Sequence, residues 1–518
     1  MLKHFHNEAL TDFGDPTHRA AFADAVANLE SKLGKTHSLV IGGKEIAATN
    51  TFNSYNPANP SQIIGTFAKA DAADARRAIA AAKDAFKAWS DWPVKRRAKL
   101  LFDTAAIMRK RRHEFSAAMV LETGKPWIEA DADTAEGIDF CDFYARLALE
   151  LQGTIPPITQ VPSEHSELFY IPLGVGAVIP PWNFPFAILV GMTAGSIVAG
   201  NTVVLKPASD SPLVGRMAFD ALVEAGMPPG VVNYLPGPGS TAGEELVTNA
   251  DTRFITFTGS KEVGLGIIKK AAKIQPGQIW IKRVMAEMGG KDTMVIDNMA
   301  DIQAAATATS AATFGFAGQK CSACSRVIVH ADIYDQFLPL LLDHARKIQV
   351  GDPRSFETGM GPVINTQSLE KCKKYLEIGR QEGRLSLGGK MIEQNGGYFL
   401  EPTIFEDIKP GARMEQEEIF GPILTVMKFS GGFEDMIQLA NATEYGLTGS
   451  IYTNDRDRIN YAKRHFHVGN LYVNRKCTGA LVGAHPFGGF NMSGTDGKAG
   501  GSDYLLFFTQ AKSVSELL

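Results

Sequence analysis

The chain has 518 residues, with 52 Lys and Arg against 56 Asp and Glu, a net charge of −4, hydrophobic residues at 45% and charged residues at 21%. This is ordinary globular composition, and at this length about three domain-sized units are expected rather than one core. The mild acidity gives no electrostatic footprint for nucleic acid.

From the amino end, Met1 to Asp15 carries acids, lacks a continuous apolar core and is poor in arginine, so neither a secretory signal nor a mitochondrial presequence is expected. Residues 16–35 read as a helix stopped by Gly34. A polar, turn-rich section follows with Asn53, Asn56, Pro57, Asn59 and Pro60, then a helix from Asp71 to about Trp89. Further helices are expected over 94–122 and 128–151, with Arg109 to Arg112 as a solvated face. No apolar run approaches the roughly 18 residues that would span a bilayer. The five cysteines (141, 321, 324, 372, 477) are too few for a secreted disulfide framework. A cytoplasmic enzyme is the expectation.

From residue 174 short apolar runs at 174–179, 202–205, 231–235 and 254–257 alternate with helical segments. That pattern predicts parallel βαβ units and a doubly wound α/β sheet. A second series, 293–296, 325–329, 423–429, 450–452 and 470–473, predicts a second α/β domain. Residues 152–172 and the chain from about 492 fit neither series and read as extended strands suited to an intersubunit sheet.

Several segments carry chemistry. Pro181-Trp182-Asn183-Phe184-Pro185 follows a buried strand. The amide of Asn183 either caps the next helix or holds a developing alkoxide. Lys206, in Leu205-Lys206-Pro207, ends a strand and is either an exposed lysine or a ribose ligand. Gly237-Pro238-Gly239-Ser240-Thr241-Ala242-Gly243 misses a dinucleotide fingerprint by one residue. Phe257-Thr258-Gly259-Ser260-Lys261-Glu262-Val263 offers backbone N–H groups to an anion at a helix start. Cys321, in Gly318-Gln319-Lys320-Cys321-Ser322, and Glu287, in Glu287-Met288-Gly289-Gly290-Lys291, stand on separate glycine-flanked turns. A thiolate there could attack a carbonyl, and the carboxylate could activate the water that releases the acyl group; a free cysteine is also commonly a small buried hydrophobe. Cys321 and Cys324 form a Cys-x-x-Cys pair, but no further ligands accompany it for zinc, so no metal is expected. Glu417-Glu418-Ile419-Phe420-Gly421-Pro422, Thr478-Gly479-Ala480 and Pro486-Phe487-Gly488-Gly489 complete the set.

Taken in order, these motifs closely resemble those of the NAD(P)-dependent aldehyde dehydrogenases, from about Leu39 to Gln510. The resemblance implies a Rossmann-like NAD-binding domain (1–151 and 173–288), an α/β catalytic domain (289–491) and a small β extension for homo-oligomerisation (152–172 and 492–518). It implies Cys321 as nucleophile, Glu287 as general base and Asn183 as oxyanion ligand. Cofactor contacts are implied for Ile179, Trp182, Lys206, Ser209, Gly239, Gly243, Phe257, Gly259, Ser260, Val263, Met288, Glu418 and Phe420. Many members carry glutamate where this chain has Ser209, so NAD is expected with NADP also accepted. Ser322, Gly479 and Ala480, with Phe184, Phe487 and Phe169, are similar to the substrate residues of the branch that oxidises L-glutamate γ-semialdehyde, the open form of Δ1-pyrroline-5-carboxylate, in proline catabolism. The alternatives are a CoA-acylating enzyme, a dehydrogenase of another small semialdehyde such as succinate semialdehyde, and a non-catalytic structural relative. Small-molecule chemistry is implied, with neither a nucleic acid nor a membrane as partner.

Overall fold

The computed structural model describes residues 4–47, 49–151, 159 and 161–518. Two seven-stranded sheets organise it. In the first, the strand order from one edge is Arg283–Glu287, Thr252–Thr258, Val175–Ile179, Thr202–Leu205, Val232–Tyr234, Leu39–Ile41, Lys44–Ile46. The first five are parallel and the last two antiparallel. Val175–Ile179, Thr202–Leu205 and Val232–Tyr234 are buried along their whole length, as strands covered by helices on both faces must be. The chain runs outward from Val175–Ile179 through the next two strands, then returns to lay Thr252–Thr258 on the opposite side. That reversal leaves a crevice beyond the carboxyl ends of Val175–Ile179 and Thr252–Thr258, where open α/β sheets bind ligands. Ile179 and Phe257, both implied cofactor residues, are register partners at its floor.

The second sheet has the order Arg384–Leu387, Thr403–Glu406, Ile423–Phe429, Arg326–His330, Thr293–Ile296, Thr448–Tyr452, Asn470–Val473. Only the Arg384–Leu387 edge strand is antiparallel to its neighbour. Glu287 closes the edge strand of the first sheet, and the chain crosses to the second within six residues, at Thr293. The two sheets therefore meet at the Glu287 turn.

Some elements differ from the sequence reading. The first helix is Pro16–Glu30, and Lys35–His37 is already strand. The 94–122 helix is interrupted at Arg111 into Val94–Lys110 and Arg112–Thr123. The turn-rich section is a hairpin, Thr51–Asn56 with Asn59–Ala68, whose register shifts at Ser54 and Tyr55 hide any alternation. Arg283–Glu287, Arg384–Leu387 and Thr403–Glu406 are strands that the apolar pattern did not mark.

The expected extension is narrower than 152–172 plus 492–518. Glu164–Pro172 pairs with Thr509–Leu517 as a two-stranded antiparallel arm, while 152–158 and 160 lie outside the described residues. Residues 493–508 are built into the body instead. Met288 N–H donates to the Ser493 carbonyl at 2.8 Å, Thr495 N–H to Ala286 at 3.0 Å, and Gly500 N–H to the Tyr144 hydroxyl at 2.8 Å. Tyr504 and Phe508 pack closely against Gly195 of the helix Ala187–Val198, where a Cβ would lie 3.0 Å and 3.1 Å from their rings.

Candidate active site

Cys321, the candidate nucleophile, stands after a strained turn. Helix Ile302–Phe314 ends, and Phe316 and Ala317 then adopt left-handed backbone (φ 51° and 54°), followed by Gly318 at 69°. Consecutive left-handed non-glycine residues are costly and persist only where packing dictates them. Here both are buried, and a Cβ on Gly318 would lie 2.3 Å from the Gly421 carbonyl. A Cβ on Gly290 would likewise lie 2.7 Å from the Cys321 carbonyl, so that glycine lets the nucleophile's backbone approach the Glu287 turn.

Gln319 is locked: its amide donates to Phe316 and Pro362 carbonyls and accepts from Ile364 N–H at 2.8 Å. The Asn183 amide, on the turn after Val175–Ile179, donates to the Gln319 carbonyl at 3.1 Å. That bond orients Asn183 beside the nucleophile and leaves its second N–H for an oxyanion. Burial raises the Cys321 thiol well above its ordinary pKa, and the carboxylates of Asp292, Glu287 and Glu418 add to this.

Glu287 accepts a hydrogen bond at Oε2 from Gly489 N–H at 3.4 Å, and its buried Oε1 has no partner among the described residues. Burial raises its pKa well above the carboxylate range, opposed by the Gly489 N–H and by Lys498. Glu287 and Cys321 line one cavity of about 120 Å³ together with Phe184, Ser322, Gly479, Ala480 and Phe487. Gly479 holds φ at 77°, and the backbone N–H groups of Gly479 and Ala480 take no protein partner among the described residues. No arginine or lysine lines this cavity.

Phe169 must be corrected. It lies on the arm strand Glu164–Pro172, beneath Lys512, and lines a separate cavity with Val94, Arg97, Ala148 and Leu151. An aromatic residue in a strand pattern does not by itself indicate which cavity it faces.

Helix Trp127–Glu150 supplies what the motifs missed. Glu136, Phe140 and Tyr144, spaced by four, present one face to the same cavity. Burial pushes the Glu136 carboxyl up to about 8, with Asp133 and Asp139 contributing and Lys125 and Lys320 opposing. A signal existed: the helix carries Glu129, Asp131, Asp133, Glu136, Asp139 and Asp142 before its first base, Arg146. Carboxylates without basic partners on an otherwise apolar helix call for partners elsewhere.

The implied cofactor residues collect along the crevice. Trp182 meets Phe420 edge-on, with ring centroids 5.6 Å apart, and Phe420 has φ 61°. Lys206 is buried; its ammonium donates only to the Pro207 and Gly237 carbonyls, and burial lowers its pKa to about 8. A Cβ on Gly243 would meet only the Lys206 methylenes and a carbonyl at 3.7 Å, and one on Gly239 would meet open space. Ser209 follows on the same segment, exposed. Gly259 N–H donates to the Glu287 carbonyl at 3.1 Å, and Ser260 caps helix Lys261–Ala271 by accepting from Val263 N–H. Val263 is 53% exposed on the first turn of that helix. The Met288 sulfur would sit 2.5 Å from a Cβ on Gly264, so the helix packs tightly on the Glu287 turn. Glu418 accepts from Gly290 N–H at 3.0 Å and leaves no room for a Cβ on Gly289. A buried lysine, an unobstructed glycine turn, an exposed apolar helix start and a carboxylate with spare acceptor capacity fit a dinucleotide. Among the described residues no cluster of three or more His, Cys, Asp or Glu could hold a metal ion, and no helix is long and apolar enough to cross a membrane.

Comparison with known proteins agrees with this arrangement. Residues 45–514 match the model of the aldehyde dehydrogenase family. The chain is 52% identical, over the full length of both, to the 1-pyrroline-5-carboxylate dehydrogenase of Geobacillus sp. (strain WCH70). Among solved structures it is similar to 1-pyrroline-5-carboxylate dehydrogenase from Thermus with bound NAD, at TM-score 0.98 and 46% identity, with all of both chains covered. Betaine aldehyde dehydrogenase from Staphylococcus aureus in complex with NAD+ matches at TM-score 0.90 and 30% identity, covering 96% of this chain and 97% of that one. The family match spans nearly all of the chain, and the chain belongs to the aldehyde dehydrogenase family.

Proposed function

We propose that the chain oxidises L-glutamate γ-semialdehyde, the open form of 1-pyrroline-5-carboxylate, to L-glutamate. The supporting observation is the cavity in which Cys321 and Glu287 face a tail pocket closed by Ser322, Gly479, Ala480 and Glu136. The relatives named 1-pyrroline-5-carboxylate dehydrogenase support the same substrate. The tail of this aldehyde is an α-carboxylate beside an α-ammonium. Neutral donors, the Ser322 hydroxyl and the Gly479 and Ala480 N–H groups, take the carboxylate. Glu136 takes the ammonium, which would bring its raised pKa down. Phe184 and Phe487 flank the methylenes. Succinate semialdehyde has no ammonium and would leave Glu136 buried without a countercharge.

Cys321, as thiolate, adds to the aldehyde carbon, and the Asn183 amide with the Cys321 N–H holds the resulting oxyanion. NAD, when bound, is the hydride acceptor. Lys206 and Glu418 would hold its two riboses, the glycine turn 237–243 would lie on its adenine side, the start of helix Lys261–Ala271 would take the pyrophosphate, and Trp182 and Phe420 would wall the ring. Loss of hydride leaves a thioester on Cys321, and Glu287 deprotonates the water that hydrolyses it. A water-activating base in place favours hydrolysis over transfer to a thiol. Ser209 removes the carboxylate that would repel a 2′-phosphate, so NADP is accepted as a weaker cofactor. The three-part division into cofactor domain, catalytic domain and arm belongs to the same proposal, as does a cytoplasmic homo-oligomer joined through the arm.

The test is NADH formation from a panel of aldehydes with both cofactors. Glutamate semialdehyde should exceed pentanal in kcat/KM by about a thousandfold, because a site built on hydrogen bonds rejects analogues that leave them unmade. Equal values would overturn the substrate reading, and a preference for succinate semialdehyde would replace it.

A further inference from the structure

Lys498 lies in the Gly-rich segment after Ser493 and plays no part in the chemistry above. Its ammonium has three protons, and all are used: it donates to the Gly488 carbonyl at 2.5 Å, the Gly469 carbonyl at 2.7 Å and Asn470 Oδ1 at 3.4 Å. Asn470 Oδ1 also accepts from Gly488 N–H. The strands of backbone that meet here leave no space for side chains. A Cβ on Gly469 would lie 1.8 Å from the Gly488 carbonyl, and one on Gly488 the same distance from the Gly497 carbonyl. The ammonium and the Asn470 amide join them.

The Gly488 carbonyl that receives Lys498 belongs to the same peptide group as the Gly489 N–H that donates to Glu287 Oε2. A cation on the oxygen of a peptide polarises it and makes its N–H a stronger donor. We propose, resting on Glu287 as the general base, that Lys498 is a positioning residue which holds the Gly488–Gly489 peptide against Glu287 and through it favours the ionised base. The other groups bearing on Glu287 are Asp496 on the same segment, Cys321 across the cavity and Tyr504 behind it. None of these is cationic, so Lys498 is the cation that bears on Glu287 among the described residues. Its own pKa is lowered by burial and raised in turn by Glu287. Asp496 acts against the ionised base, whereas Cys321 carries no charge once acylated.

Thioester hydrolysis is measured apart from hydride transfer by acylating Cys321 with a small activated ester and following acyl-enzyme decay across pH. In the wild type the decay rate should rise with pH as Glu287 ionises, and Glu287→Gln should abolish that limb. Lys498→Met should move the limb to higher pH by about half a unit or more, slowing decay below the limb about threefold while the fully ionised rate is retained. Lys498→Gln, which keeps a donor without the charge, should shift it in the same direction and serves if the Met variant loses NAD binding or its folded spectrum. A limb that Glu287→Gln removes but neither Lys498 variant moves overturns the Lys498 role alone. Decay that Glu287→Gln leaves unchanged at every pH overturns the base assignment, and this inference with it. Failure to oxidise glutamate semialdehyde would touch only the substrate reading, since the ester probe does not depend on it.

Discussion

At the scale of residues, reactive chemistry was legible where it is built on local turns. Cys321, Glu287 and Asn183 each stand on a short glycine- or proline-framed segment, because exposing one side chain at a strand end needs that backbone. Glu136 was not legible, since only the packing of helix Trp127–Glu150 decides that its acid faces the aldehyde cavity rather than solvent. Its assigned role makes a specific prediction. Removing one partner of a desolvated, hydrogen-bonded charge pair costs about 2 kcal/mol or more, roughly thirtyfold in kcat/KM. Glu136→Gln should therefore lower kcat/KM for glutamate semialdehyde at least that far, while pentanal, which has no ammonium, changes little. Parallel losses on both aldehydes would show that Glu136 shapes the cavity without touching the tail.

Among elements, the two parallel sheets could be anticipated from their buried apolar runs, whereas hairpins of mixed polarity, such as Thr51–Asn56 with Asn59–Ala68, could not. Their stability comes from tertiary neighbours, and one of these is instructive. Helix Pro212–Glu224 begins without a side-chain cap of its own. Its Leu213 and Val214 N–H groups donate instead, each at 2.9 Å, to the two carboxylate oxygens of Glu122, from the helix Arg112–Thr123. Ser54 of the hairpin donates to the same carboxylate at 2.8 Å. One fully buried acid thus ties three elements together. Burial raises its pKa from 4.5 to about 7 against the pull of those donors. A carboxyl whose pKa is raised on folding stabilises the protein below its unfolded pKa, and that stability is lost as pH rises through the folded value. The difference is worth up to about 3 kcal/mol. Glu122→Gln cannot titrate, and with one carbonyl oxygen it leaves a helix N–H poorly served. The melting-temperature advantage of wild type over Glu122→Gln should be largest near pH 4, below the unfolded pKa, and shrink towards pH 7.5. An advantage that grows with pH would mean that the three donors outweigh burial and keep the carboxylate ionised.

For the whole molecule, the arm is the part least able to stand alone. Two-stranded ribbons are marginal in water, and Glu164–Pro172 pairs only with Thr509–Leu517 among the described residues, leaving both outer edges open. Most of Thr509–Leu517 is exposed. Next to its base, Arg253 joins Gln510 to the Ile281 carbonyl, and there Ile274, Ile279 and Ile281 are 58%, 85% and 81% exposed. An open strand edge continuous with exposed isoleucines is the surface a second copy would cover. The sequence signalled the arm through two extended segments that fitted neither sheet series, but not the isoleucine patch, because apolar residues in a loop gain meaning only from what lies beside them. Light scattering should show a full-length assembly larger than one chain, and Ile279→Lys with Ile281→Lys should shift it towards the single-chain mass by burying charge in the contact. Deleting 510–518 should do so more completely. The crevice residues lie on the body, so NAD affinity of either variant should stay within about threefold of wild type, well under the 1.4 kcal/mol that marks a tenfold change. A wild type that is already monomeric at micromolar concentration would refute the oligomer, and a truncated chain that still assembles would move the contact away from the arm.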